Sequence, residues 1–404
     1  MMDEPQLLEH PLGYVPMFAV GKGSYGTVYK AKRPALNTET RDPISDENGK
    51  PVLEEVAIKK IEDFGCIDRY SGMDFKTKYL RRICREVDIL LHFRCVPQMV
   101  ETKEVYLSKD KRDLHIVMSF VQWSLDKVLA LKPEIRKGMT ENHMRWIIVQ
   151  ILLGLEAMHK AGCMHRDLSL GNVLIDPTTM DCCLADFGLS RVQFEAKQDI
   201  SLDVVSLPFR APEILLEDKK YRHNVDVWSM GMVMMELFLN KPFCRGKDVN
   251  YQLLAIIQLF AGFPDISAWE DHASRRAIQY FSKMKDSADA SGKTLPAPKD
   301  VGQFLIAAGF SEEAADVARK MLVFDPRKRP GVEEVLNMPW FQKDERCKEM
   351  IDSTREFTKD LTRCPSEIET MEYDQLVEHM QKCCTPGLEP NEKANVPWNL
   401  KQQE

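Results

Sequence analysis

Two stretches of the chain, Met144–His159 and Trp228–Leu239, are apolar nearly all the way round a helix. A helix without a polar face has to be covered on every side, which only a large helical body can do. The chain before them follows another period. From Met17 to about Phe120, short apolar-alternating runs (Thr27–Ala31, Val56–Ile61, His115–Phe120) read as strands joined by polar or glycine-rich segments. One helix interrupts them near Lys78–Phe93, with Ile83, Val87 and Leu90 as its apolar stripe. Strands come first and helices follow, from about Gln122 to Phe341. The expected class is α+β, with a small antiparallel sheet lobe carrying one helix and a second, mainly helical lobe.

Length and composition agree with that plan. At 404 residues, 44% apolar and 29% charged, the chain can bury two cores. Its net charge of −7 speaks against nucleic acid as a partner. The N-terminal MMDEPQLLEHPLGY is acidic and broken by proline, unlike a secretory leader. Trp228–Leu239 is shorter than a bilayer span needs and contains Glu236, so no membrane partner is expected. None of the eleven cysteines forms a C-x-x-C pair, and Cys84, Cys163 and Cys182 sit in apolar runs. Reduced, buried thiols are the expectation, and with them the cytoplasm or nucleus.

Three segments stand apart. Lys32–Leu53 is polar and reads as a mobile loop, and Ser267–Asp300 as a mixed connection. Beyond Phe341 the chain is charged, with a helix expected at Tyr373–Lys382 before a disordered end.

Glycines at 21, 23 and 26 lie in Gly-Lys-Gly-Ser-Tyr-Gly-Thr-Val28. Lacking Cβ atoms, they let backbone N–H groups approach phosphate oxygens. Alone, the pattern also fits a dinucleotide-binding turn or a plain hairpin. The dinucleotide reading needs a helix next, and Thr27–Ala31 reads as a strand. In Val56-Ala-Ile-Lys59, Lys59 shares a strand face with Ala57. Glu86, at the border of its helix's apolar stripe, offers Lys59 a partner that would hold the ammonium toward phosphate.

The densest signal is His165-Arg-Asp-Leu-Ser-Leu-Gly-Asn172 followed by Asp186-Phe-Gly188. Phosphoryl transfer asks a protein for metal ligands, charge neutralisation and an oriented nucleophile. Asp167 suits a substrate hydroxyl, and Asn172 and Asp186 are hard oxygen ligands for Mg2+. Single triplets recur by chance. The ordered set of glycine loop, Lys59, Glu86, Asp167, Asn172, Asp186 and Ala211-Pro-Glu213 does not.

Over residues 14–341 the sequence therefore resembles a eukaryotic protein kinase, with an extension at 1–13, lobes at 14–121 and 122–341, and a tail at 342–404. The resemblance implies ATP between the lobes, magnesium, and protein substrates phosphorylated on serine or threonine. It places ATP against Val20, Gly21, Lys22, Gly23, Ser24, Tyr25, Gly26 and Val28 of the glycine loop. Ala57, Lys59 and Glu86 line the same site, with Met118 as gatekeeper and Ser119 to Val121 as hinge. It pairs Glu213 with Arg329 and has Asp226 brace the catalytic loop.

Ser206-Leu-Pro-Phe-Arg210-Ala-Pro-Glu resembles the group of cyclin-dependent and MAP kinases. Two features tilt the reading toward cyclin-dependent kinases. Ser24 and Tyr25 stand where that family is phosphorylated inhibitorily, and Ser201 stands at its activating position, with Arg85, Arg166 and Arg191 as the phosphate clamp. No Thr-x-Tyr pair lies between Asp186 and Glu213. A cyclin-like activating subunit and proline-directed substrates follow by resemblance, with cell-cycle or transcription-type signalling as the setting. Three departures bear on this. Ser169 and Leu170 replace the usual lysine and proline after the catalytic aspartate, Pro208-Phe209 replaces Trp-Tyr, and the helix around Glu86 is not the usual cyclin-binding sequence. Ser169 keeps open the alternative of a pseudokinase or scaffold, with Lys60 and Lys197 as candidate replacement cations.

Overall fold

The computed structural model describes residues 15–23, 26–37, 43–62, 73–108, 112–192, 206–218, 220–260, 273–290 and 299–384. They form two compact units, residues up to 122 together with 365 onward, and 123–364.

The first unit opens with β1 (Val15–Gly23), β2 (Gly26–Pro34), β3 (Leu53–Ile61), α1 (Met73–His92), β4 (Thr102–Leu107) and β5 (Leu114–Ser119). Among the described residues the strands make an antiparallel sheet in the order β1-β2-β3-β5-β4. Alternation fixes its faces. Val56 and Ile58 are fully buried with Ala31 and Val117, while the alternating Ala57 and Lys59 are half-buried. α1 buries Leu80, Ile83, Cys84, Val87 and Leu90.

Gly26 is demanded by packing. A Cβ there would meet the Lys60 carbonyl oxygen at 2.3 Å, a close backbone approach typical of strand glycines. Gly26→Ala is therefore expected to cost about 1–3 kcal/mol, read as a lower denaturation midpoint.

The polar run after β2 is more than the loop expected from its composition. Leu36 bridges Pro43 and Ser45 bridges Pro51. Asp46 Oδ1 accepts the N–H groups of Asn48 and Lys50, and Gly49 adopts φ 75°. A hairpin-like excursion results, closed by an Asx turn.

The second unit begins with β6 (Trp123–Ser124), α2 (Leu125–Leu131), α3 (Pro133–Gly138), α4 (Glu141–Lys160) and β7 (Cys163–Met164). β8 (Val173–Ile175) and β9 (Cys182–Leu184) form a short hairpin that β6 joins, and β10 (Arg191–Val192) pairs with β7. Then come α5 (Pro212–Leu215), α6 (Asn224–Leu239), α7 (Val249–Phe260), α8 (Arg275–Ala290), α9 (Val301–Ala307), α10 (Glu312–Met321), α11 (Val332–Leu336), α12 (Pro339–Gln342) and α13 (Glu345–Phe357). α6 is buried from Val225 to Phe238, and α4 over most of Met144–Met158, as their unbroken apolar patterns demand. Thr140 caps α4 in a box with His143.

The last described segment goes back to the first unit. A 3₁₀ turn at Glu367–Thr370 leads into α14 (Tyr373–Cys383), which buries Leu376 and Met380 on one face. The sequence places residues 342–404 in one tail. The described part divides instead, α13 with the helical unit and α14 with the sheet unit. An i,i+4 apolar pair is what lets so short a helix dock. Among the described residues no helix is long and apolar enough to cross a membrane.

Candidate active site

In the first unit the middle strand places Lys59 opposite Val28 and Ile116, and Ala57 opposite Met118. Lys59 Nζ lies 2.5 Å from Glu86 Oε1, with side chains 14% and 5% exposed. A carboxylate so enclosed needs its cation, and α1 turns Glu86 inward. Ser119 closes β5, its N–H donating to the Glu101 carbonyl at 2.9 Å and its hydroxyl to the Glu101 carboxylate. Gly21, paired with Val28 across the β1–β2 hairpin, differs from Gly26: an added Cβ would meet nothing within 4 Å. Nothing among the described residues requires a glycine there, so the space it leaves suits a phosphate brought close to the backbone. Ser24 and Tyr25 lie outside the described residues.

In the second unit Asp226, fully buried, holds the loop before Asp167. Its Oδ2 accepts His165 N–H at 3.0 Å and faces His159 Nε2 at 2.8 Å, and its Oδ1 accepts Arg166 N–H at 2.8 Å. Burial pushes the Asp226 carboxyl up, but the His159 hydrogen bond and both imidazoles outweigh it and hold it below its ordinary value. Arg166 pays conformationally for this bracing, at φ 67°, and Asp186 adopts φ 59°. Left-handed non-glycine residues cost energy and concentrate at functional sites.

Asp167 is half-buried and each of its oxygens has a donor: Ser206 N–H reaches Oδ1 at 3.2 Å, and Asn172 Nδ2 reaches Oδ2 at 3.1 Å. Asn172 Nδ2 also donates to the Asp167 carbonyl at 2.7 Å. With its nitrogen so used, Asn172 has Oδ1 to offer a cation. Burial first, and the negative charge of Asp186 against it, raise the Asp167 pKa, partly offset by His165, Ser206 and Asn172. A divalent cation would turn that repulsion into attraction, and the donors are all hard oxygens, so the residues fit magnesium. Ser169 is buried, leaving no cation at its position. Lys60 is engaged with Asp113 at 2.9 Å, and Lys197 lies outside the described residues.

Of the arginines expected to clamp a phosphate, Arg85 belongs to the first unit and Arg166 and Arg191 to the second. Arg166 and Arg191 both act on Tyr221, whose hydroxyl burial pushes up to about 12 against the pull of the two guanidiniums. Arg85 has an anion of its own: Nε and Nη2 bind Glu369 Oε1 and Oε2 at 2.7 and 3.0 Å. Arg81 donates beside it to the carbonyls of Ile368 and Met371. The contacts of Glu369 with Arg85 and of Ser206 with Asp167 are ones that the sequence reading missed. No spacing could reveal the first, which lies 284 residues from its partner. Ser201 falls outside the described residues. In the second unit Glu213 forms a buried double hydrogen bond with Arg329.

The model of a family described as the protein kinase domain matches residues 14–341. The chain is 31% identical over 329 residues to "Mitogen-activated protein kinase 5" of Arabidopsis thaliana, covering 80% of this chain and 76% of that one. Against "Mitogen-activated protein kinase homolog NTF6" of Nicotiana tabacum the figures are 32% over 330 residues, 80% and 76%. Against "Mitogen-activated protein kinase mpk-1" of Caenorhabditis elegans they are 30% over 343 residues, 83% and 67%. These relatives are MAP kinases. They lean to MAP kinases, leave the expected tilt toward cyclin-dependent kinases unsupported, and do not imply a cyclin-like subunit. The face of α1 around Arg81 and Arg85 is moreover covered by the chain's own residues 368–371.

Proposed function

Because the chain belongs to the protein kinase family, we propose that it is an active serine/threonine kinase of the MAP kinase type, transferring the γ-phosphoryl of ATP to protein hydroxyls that precede proline. The observation that supports activity best is the Asp167 carboxylate, oriented on both oxygens and set beside Asp186. Lys59, held by Glu86, would neutralise nucleotide phosphates, and the Gly21 backbone would approach them. Asp186 and Asn172 Oδ1 would hold magnesium, which when bound neutralises phosphate charge. Asp167 would accept the proton of the substrate hydroxyl. Ser201 phosphorylation is the proposed switch, read by Arg166 and Arg191. Cytoplasm or nucleus is the proposed location.

Proline preference is argued from hydrogen bonding. A groove that leaves the N–H after the phosphoacceptor unpaired penalises every residue except proline. On a peptide array with magnesium ATP, replacing that proline with alanine is expected to lower phosphorylation about tenfold, the effect of about 1.4 kcal/mol. Equal signals would reject the preference without touching the kinase activity.

The second reading, a pseudokinase, rests on Ser169: losing one electrostatic stabiliser costs on the order of 10²–10³ in rate. Incorporation of phosphate into a mixed protein substrate, abolished by Asp186→Asn, decides for the enzyme. No incorporation above that variant decides for the scaffold.

A further inference from the structure

α14 and α1 bring three side chains of different chemistry to one point. His379 and Cys383 are four residues apart on α14 and so share a face. Asp88, two positions after Glu86 on α1, lies opposite. His379 Nε2 is 2.8 Å from Asp88 Oδ1, Cys383 Sγ is 3.5 Å from His379 Nε2, and Cys383 Sγ is 3.7 Å from Asp88 Oδ1. The three ligand atoms all lie within 4.8 Å of one another. The Asp88 side chain is only 10% exposed, and its second oxygen, Oδ2, is buried with no hydrogen-bond partner among the described residues. Such an oxygen is costly to bury unsatisfied.

The geometry points to a zinc-type divalent cation site made by Asp88, His379 and Cys383, which fastens the returning C-terminal helix to the helix that carries Glu86. Tetrahedral zinc, with its usual bond lengths, separates sulfur from nitrogen by about 3.5 Å, sulfur from oxygen by about 3.6 Å and nitrogen from oxygen by about 3.4 Å. Two of the three observed spacings match, and only the His379–Asp88 edge has to open, by about 0.6 Å. The mixed N, S, O donor set favours zinc over magnesium or calcium, which take oxygen alone. Binding releases the protons that His379 Nε2 and the Cys383 thiol carry. Cys84, one turn earlier on α1, contacts the Leu376 carbonyl. Three protein donors then leave a fourth position to water.

The test uses the full chain, stripped with a chelator and titrated with zinc and, as a spectroscopic probe, cobalt(II). One cobalt per chain with a thiolate-to-cobalt charge-transfer band is expected, and zinc should displace it. Cys383→Ser should lose the band, and His379→Ala should bind zinc at least about tenfold more weakly. Cys384→Ser, with the neighbouring thiol removed, should behave as the parent. Cys383→Ser is nearly isosteric, so it keeps the proposal testable if His379→Ala fails to fold. A missing band, or a band and zinc affinity unchanged in Cys383→Ser, would overturn the site and leave an Asp88–His379 ion pair beside a thiol. None of these readouts depends on kinase activity.

Discussion

Replacing Asp167 with asparagine is expected to lower kcat by about 10²–10⁴-fold, the usual range for a lost general base, with little change in thermal midpoint. The shape of the side chain is kept, and the removed charge is one that burial and Asp186 disfavour. The same facts fix the pH profile. The folded pKa of Asp167 is raised, and a base must be deprotonated to work. Activity is therefore full above that raised pKa and lost as pH falls through it. The acid limb of kcat/KM should lie above the ordinary carboxylate range. Losing the Ser206 N–H bond would move the value further up, because that bond lowers it and burial is the largest cause of the rise. Retention of more than a tenth of the activity in Asp167→Asn, with the same product, would show that proton transfer to this carboxylate is not what limits the enzyme.

Much of this site was legible because phosphotransfer chemistry leaves residue types at fixed spacings. Lys59 sits on an alternating strand and Glu86 on an amphipathic helix, so each has its direction set locally, and their pairing follows from two short-range patterns. Asp226 and the Glu213–Arg329 pair were named from the resemblance and are placed where buried charges find hydrogen-bonding partners. The subgroup was harder to read. The absence of Thr-x-Tyr between Asp186 and Glu213 argued against MAP kinases, whereas the relatives, matched over some 330 residues, are MAP kinases. That reading weighed a few positions, Ser24, Tyr25, Ser201 and the missing pair, above the whole domain. The C-terminal segment was half legible. Periodicity gave a helix at Tyr373–Lys382 and the structure has Tyr373–Cys383, but nothing local says that Arg85 meets Glu369 or that Asp88 meets His379. Contacts almost 300 residues apart are set by which apolar face finds which helix, and a single sequence carries no record of that choice.

Breaking the Glu213–Arg329 pair should have the largest effect on stability. The guanidinium is fully buried and the carboxylate 1% exposed. Nη1 and Nη2 reach the two Glu213 oxygens at 2.7 and 3.1 Å, while the remaining contacts go to the carbonyls of Val323, Asn224 and Phe324. The ring of Trp228 lies 5.2 Å from the guanidinium carbon. Arg329→Leu leaves Glu213 charged, buried and unpaired, and is expected to cost about 3–5 kcal/mol. For a unit of this size that lowers the melting temperature by about 6–20 °C. Glu213→Leu should cost as much, because the guanidinium is then uncompensated. The double variant buries no lone charge, yet still strips donors from three carbonyls. It should therefore lie below the parent but above the sum of the single losses, by roughly 0.5–3 kcal/mol of coupling. Denaturant melts of the four proteins measure this directly. Additive losses, within about 0.5 kcal/mol, would mean that the two side chains act independently and that the main-chain contacts of Arg329, not its charge, hold this part of the helical unit together.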